Sequence, residues 1–172
     1  MLEKTSVPNK TICQEIKEAF KPEMDFMIDN PAIEMIFPVS YLPRMSRKEP
    51  RRMIAGDIES GNKNSATFLN RLDPFPEDTT PIAIVHTHPA TDMPFDLPSQ
   101  ADINTAFTKE VPYICVVQVA PKKLLCVNVK DTPAYKILGT EDFPHDVFKD
   151  SQTWDKAQKE KLQGISHCEV DI

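Results

Sequence analysis

The sequence has few glycines, no apolar run long enough to cross a membrane, and no C-x-x-C pair. It contains 4 glycines and 16 prolines, which favours fixed bends and strand ends over flexible linkers. Its longest apolar stretches have the length of a strand, so we expect no transmembrane helix. The N-terminus lacks the apolar core of a signal peptide, so we expect no export signal.

The spacing of the four cysteines excludes two kinds of site. Cys13, Cys115, Cys126 and Cys168 are widely scattered, and without a C-x-x-C spacing they predict neither a redox pair nor a cysteine-based zinc site. Cys115 and Cys126 lie in neighbouring strand-like runs and could face one another across a hairpin. We expect buried or free thiols in a reducing cytosol, and therefore a cytoplasmic protein.

Size and charge narrow the class further. A chain of 172 residues with 40% hydrophobic residues is long enough to bury the core of one globular domain. Its net charge of −6 argues against nucleic acid as the main partner, because such proteins usually carry a basic patch. The basic residues 44–52 are expected to form a solvated turn.

The hydrophobic pattern predicts a mixed α/β (α+β) chain. Residues 1–9 are expected to be a loose tail, residues 10–150 the main domain, and residues 151–172 a C-terminal helix followed by a tail. Helices are predicted at residues 12–20, 23–28, 100–109 and 151–162, and strands at residues 32–42, 51–59, 66–72, 82–86, 112–120 and 124–130.

The most informative stretch is the end of the predicted strand 82–86. His86 and His88 are two residues apart, so in an extended chain both project to the same side. Asp102 follows a proline-punctuated loop, and Ser99 is placed to cap the next helix. Two histidines, one carboxylate and a water form the ligand set of an open, catalytic zinc site. From their spacing alone, the two histidines are about as well explained as buried structural residues as they are as metal ligands.

Residue identities favour the metal. The series His86-x-His88-Pro89, then Pro98-Ser99-x-x-Asp102, resembles the H-x-H-P…S-x-x-D signature of the JAMM/MPN-domain zinc metalloproteases. The likeness covers roughly residues 10 to 130. It implies a curved, mostly antiparallel sheet flanked by helices. It also implies hydrolysis of the bond after the C-terminus of ubiquitin or of a ubiquitin-like or sulphur-carrier protein.

The resemblance also assigns roles. His86, His88 and Asp102 would bind Zn²⁺, and Ser99 would donate its hydroxyl to the oxyanion of the tetrahedral intermediate. A glutamate upstream would act as general base. Glu34 is the nearest match, although it departs from the family pattern by one extra residue after Pro31 and by the lack of a following glycine. Glu23 is the alternative base, and the sequence does not choose between them.

Three functional hypotheses follow. The leading one is a JAMM-type zinc isopeptidase, a deubiquitinase-like hydrolase acting on ubiquitin-like conjugates. The alternative is a non-catalytic MPN-like scaffold subunit of a larger complex, which would not need the intact ligand set. A relative associated with bacterial DNA repair is a third possibility, and the acidic net charge weighs against it.

Overall fold

The computed structural model describes residues 10–60, 74–88, 106, 109–119, 122–129 and 166–172, with His88 described by its backbone alone. These residues form a mixed α/β structure in which one helix packs on a seven-stranded, mostly antiparallel sheet. The predicted fold class is confirmed at this level. The more specific MPN-like architecture with several flanking helices stays a prediction, since the described part of the chain contains one helix.

The helix α1 spans Ile12–Ile28 and begins at a capping box. The Thr11 side chain accepts the backbone N–H of Gln14, and the Gln14 side chain accepts the backbone N–H of Thr11, which satisfies two donors at the helix start. Phe20 leaves helical geometry just before Pro22, because a proline inside a helix removes one hydrogen bond and clashes with the preceding turn. The two predicted helical pieces are therefore two halves of one kinked helix.

The strands are β1 (Met35–Tyr41), β2 (Met53–Ala55), β3 (Glu59–Ser60), β4 (Thr80–His88), β5 (Tyr113–Gln118), β6 (Lys123–Asn128) and β7 (His167–Asp171). Their order in the sheet is β2-β1-β4-β5-β6-β7, with β3 also paired to β1. Among the pairs described, β4 and β5 are parallel and the others antiparallel.

The predicted strand 51–59 is divided into β2 and β3. Pro38 lies in the middle of β1 and has no N–H for the ladder, while its carbonyl oxygen accepts the N–H of Gly56 at 2.9 Å. A Cβ at Gly56 would lie 2.6 Å from the Pro38 ring, so only glycine allows this close approach. The ladder therefore breaks here and resumes at Glu59.

The two faces of the sheet are both buried but have different neighbours. Helix α1 covers the face that carries Phe37 and Val85, and the rings of Phe20 and Phe37 meet edge to face at 6.0 Å between centroids. Side chains alternate along a strand, so Ile36 and His86 belong to the opposite face. That face is also buried, as its residues Ile36, Ile84, Ile114, Val116, Leu125 and Val127 show.

The last described residues form a strand, contrary to expectation. The predicted tail at the C-terminus is wrong, because His167–Asp171 form β7 on the edge of the sheet beside β6. The predicted strand 66–72, the predicted helix 151–162 and the tail 1–9 lie outside the described residues. The helix described here is not long and apolar enough to cross a membrane.

The expectation of free thiols is also wrong. Cys13 is joined to Cys168, and Cys115 to Cys126, as two disulfides. The expected hairpin is confirmed, since Cys115 and Cys126 are directly opposite one another in the register of β5 and β6. The Cys13–Cys168 pair connects residues 155 positions apart, and cysteine spacing alone does not select such a pairing.

Candidate functional site

The two histidines of the motif lie at the C-terminal end of β4, which is an interior strand. On one side β4 pairs with β1, where His86 is opposite Ile36. On the other side it pairs in parallel with β5, where His86 lies beside Val116 and His88 beside Gln118. Residues from three strands therefore meet at this end of the sheet.

His86 is buried within an otherwise apolar row. Its side chain is 3% exposed, and its cross-strand neighbours Ile36 and Val116 are 5% and 0% exposed. The face is the one that α1 does not cover. His88 follows two residues later on the same strand, so its position belongs to the same face as that of His86.

The register brings Glu34 to this end of the sheet. Ile36 is the partner of His86 in the antiparallel pair, and the same register extended by two residues beyond β1 would set Glu34 opposite His88. A hydrogen bond holds the intermediate position, because the Met35 N–H donates to Thr87 Oγ1 at 2.9 Å. Glu34 is half-buried and directly precedes β1, so it lies at the same end of the sheet as His86.

Glu23 lies on the other side of the sheet. It belongs to α1, the helix that packs on the Phe37 face, and it is three residues beyond Phe20. Among the described residues, its Oε2 atom is buried and has no hydrogen-bond partner. This arrangement favours Glu34 over Glu23 as the candidate base, and the role of Glu34 stays a prediction.

Gln118 is a further candidate for the site, which the sequence patterns did not indicate. It ends β5 beside His88 in the parallel register, and its side chain is 6% exposed. A buried amide in this row adds a polar side chain next to the histidine position. The signal in the sequence is the polar residue that closes the apolar run 114–117 of the predicted strand.

The serine and the aspartate of the motif have no described position. Ser99 and Asp102 lie outside the described residues, as does most of the helix predicted at residues 100–109. Their roles as oxyanion donor and third zinc ligand stay predictions. The described part of the site consists of Glu34, His86, the backbone of His88, and Gln118.

A cavity of about 390 Å³ lies at the opposite end of β1 and β4, and is separate from this site. Three arginines of the predicted basic turn line it, namely Arg44, Arg47 and Arg51, together with Tyr41 and Thr80. The pKa of Tyr41 is raised by burial and by the nearby Glu15 carboxylate, with Arg51 acting in the opposite direction. No histidine or carboxylate is among the lining residues, so this cavity offers no ligands for zinc.

A second group of possible metal ligands lies where α1 packs on β6 and β7. The Sγ atoms of Cys13, Cys126 and Cys168 are all within 4.8 Å of one another, a spacing at which three sulfurs could hold a metal ion. Two of them, Cys13 and Cys168, are joined as a disulfide. Cys126 is likewise joined to Cys115, so all three sulfurs belong to disulfides in the structure.

Comparisons with protein-family models, with curated proteins and with solved structures find no match for this chain. The interpretation of the site therefore depends on its residues and their geometry.

The hydrogen bond between β1 and β4 provides a test of the site's framework. Thr87→Val keeps the shape of the side chain but removes the acceptor for the buried Met35 N–H, so we expect a loss of about 1–3 kcal/mol in the free energy of unfolding. Urea denaturation measures it. Thr80→Val, an exposed position on the same strand, is the matched control and should change stability by less than about 0.5 kcal/mol. Equal effects of the two substitutions would contradict the assignment.

Proposed function

We propose that this protein is a zinc-dependent peptidase of the JAMM type. It would hydrolyse the bond that follows the C-terminus of ubiquitin or of a ubiquitin-like protein. The observation that carries the proposal is the pairing of β1 with β4, in which Ile36 lies opposite His86. The same register extended by two residues would set Glu34 across from the second histidine of the H-x-H-P motif. Two ligand positions on one face of the sheet and a carboxylate at the same end are what metal-assisted hydrolysis requires.

The residues fit a zinc ion by their chemistry. Zinc prefers imidazole nitrogens and carboxylate oxygens, and a catalytic site uses three protein ligands and leaves one position open. His86 and His88 would supply the two nitrogens, and Asp102 the oxygen. The position of His86, 3% exposed among apolar neighbours, would limit access of bulk water from the side of the sheet.

Each side chain then has one task. Bound zinc would lower the pKa of a water to about 7 and polarise the scissile carbonyl. Glu34 would accept a proton from the attacking water and deliver it to the leaving amine, the usual duty of a general base that becomes a general acid. Ser99 would donate a hydrogen bond to the oxygen that becomes negative as the carbonyl is attacked. Gln118, beside His88, would help to hold that histidine in place.

The substrate class comes from the motif rather than from the sheet. The H-x-H-P…S-x-x-D pattern resembles enzymes that cleave isopeptide bonds to ubiquitin-like proteins, and a lysine amine is the leaving group in that reaction. Among the hypotheses given above, the non-catalytic scaffold is the one against which this proposal is tested.

Metal analysis together with a cleavage assay provides that test. The purified chain should bind about one zinc ion, the number that a single three-ligand site takes, and should cleave a member of a panel of ubiquitin-like conjugates. A chelator should remove the activity and added zinc should restore it. His88→Ala should lose both metal and activity, whereas His167→Ala, an exposed histidine on β7, should keep both. A folded chain that binds no zinc and cleaves no conjugate would favour the scaffold.

A further inference from the structure

All four cysteines of the chain meet at one place. They come from α1, β5, β6 and β7, and three of them are fully buried, while Cys168 on the edge strand is half-buried. Cys126 has a cysteine directly opposite on each neighbouring strand, Cys115 on β5 and Cys168 on β7. Its sulfur lies within 4.8 Å of the sulfurs of both Cys13 and Cys168.

The two disulfides are therefore neighbours that share an exchange partner. Cys126 is bonded to Cys115, yet in the strand register it faces Cys168 equally directly. Thiol–disulfide exchange needs a thiolate close to a disulfide sulfur, and here the approach of Cys168 to Cys126 requires no change in strand pairing.

The surroundings of Cys168 favour it as the attacking thiolate. Its sulfur accepts the backbone N–H of Cys13 at 3.3 Å. Cys13 is in the first turn of α1, where the N–H groups have no partner within the helix and the helix dipole is positive. Both effects stabilise a thiolate, and Cys168 is also the sulfur that an external reductant reaches most easily.

We propose that the four sulfurs form an internal thiol–disulfide exchange centre, in which Cys168 receives reducing equivalents from a dithiol and passes them to the Cys115–Cys126 pair by attack on Cys126. This inference is independent of the zinc chemistry proposed above, since it uses the other face of the sheet.

The steps balance as follows. A dithiol reductant attacks Cys168, the Cys13–Cys168 bond breaks, and the reductant closes to its own disulfide, leaving two thiols on the protein. The Cys168 thiolate attacks Cys126, the Cys115–Cys126 bond breaks, and Cys115 leaves as a thiolate that is then protonated. The Cys13 thiolate attacks Cys168, the Cys126–Cys168 bond breaks, and Cys126 is protonated. Two electrons and two protons have moved from the dithiol to Cys115 and Cys126.

A pair of matched variants tests the proposal on the full chain, with chelator present to keep metal from the thiols. Cys13→Ser and Cys168→Ser each remove the same disulfide and leave one free thiol, but only the first keeps the attacking sulfur. After alkylation and peptide mapping by mass spectrometry, Cys13→Ser should contain a trapped Cys126–Cys168 disulfide and an alkylated Cys115. Cys168→Ser should keep Cys115–Cys126 and exchange at least about tenfold more slowly. Equal exchange in the two variants, or an intact Cys115–Cys126 bond in Cys13→Ser, would overturn it.

A rate measurement gives a second readout, made at a temperature at which circular dichroism shows both proteins to be folded. With dithiothreitol as the dithiol, alkylation of Cys115 and Cys126 in the unmodified chain should be at least about tenfold faster than in Cys13→Ser/Cys168→Ser, which lacks both outer sulfurs. The same rate in both proteins would show that the reductant reaches the buried pair directly, and the exchange centre would be excluded.

Discussion

Glu34→Gln is expected to abolish cleavage while leaving zinc bound. Glutamine keeps the size of the side chain and can still form hydrogen bonds, but it cannot accept the proton of the attacking water. Loss of a positioned general base typically lowers the catalytic rate about 10²–10⁴-fold. The ligand positions His86 and His88 are unchanged, so the metal content should stay at that of the unmodified chain. Steady-state cleavage kinetics and metal analysis on the same preparation measure both quantities.

Glu23→Gln is the matched control for this experiment. It makes the same chemical change in the other candidate glutamate, which lies on α1 beyond the opposite face of the sheet. Activity should stay within about twofold, a change of only a few tenths of a kcal/mol in the activation free energy. If Glu23→Gln loses activity and Glu34→Gln keeps it, the register argument for the base is wrong. If both keep it, the base lies elsewhere in the chain.

Removing the Cys13–Cys168 disulfide is expected to have the largest effect on stability. A bridge between residues 155 positions apart restricts the unfolded chain strongly, and the chain-entropy relation gives about 5 kcal/mol for such a loop. For a domain of this size we expect the melting temperature of Cys13→Ala/Cys168→Ala to fall by about 10–20 °C. Thermal unfolding followed by circular dichroism, without reductant, measures this change.

The second disulfide provides the comparison. Cys115 and Cys126 are separated by 11 positions and are already held together by the pairing of β5 and β6, so the same relation gives about 3 kcal/mol at most. Cys115→Ala/Cys126→Ala should therefore melt at a higher temperature than Cys13→Ala/Cys168→Ala. Reductant should lower the melting temperature of the unmodified chain far more than that of the variant without the long-range bridge. A fall of less than about 3 °C on removal of that bridge would contradict its role.

The central part of the sheet was predictable because its signals are local. The β4 run ends at two histidines, and β5 and β6 are continuous apolar runs separated by a short turn, so each strand can be recognised without knowledge of its neighbours. The helix α1 was predictable from its cap and its apolar spacing. The kink at Phe20 follows from Pro22, which the sequence displays directly.

The features that were not predicted depend on pairing between distant segments. The strand β7 has only Cys168 and Val170 as apolar residues, and its identity as a strand depends on the partner β6, about 40 positions earlier in the chain. With four cysteines, three pairings are possible, and spacing cannot select one. The sequence could not separate Glu34 from Glu23, because their positions relative to His86 depend on the pairing of β1 with β4 and on the packing of α1.

The bond between Cys13 and Cys168 also changes the topology of the polypeptide. The backbone from Cys13 to Cys168 and the bond between their sulfurs together form a covalently closed ring. A single backbone cut at any point from residue 14 to residue 167 opens the ring without separating the molecule into pieces. A nicked chain would therefore migrate as one species on a denaturing gel and separate into fragments only after reduction.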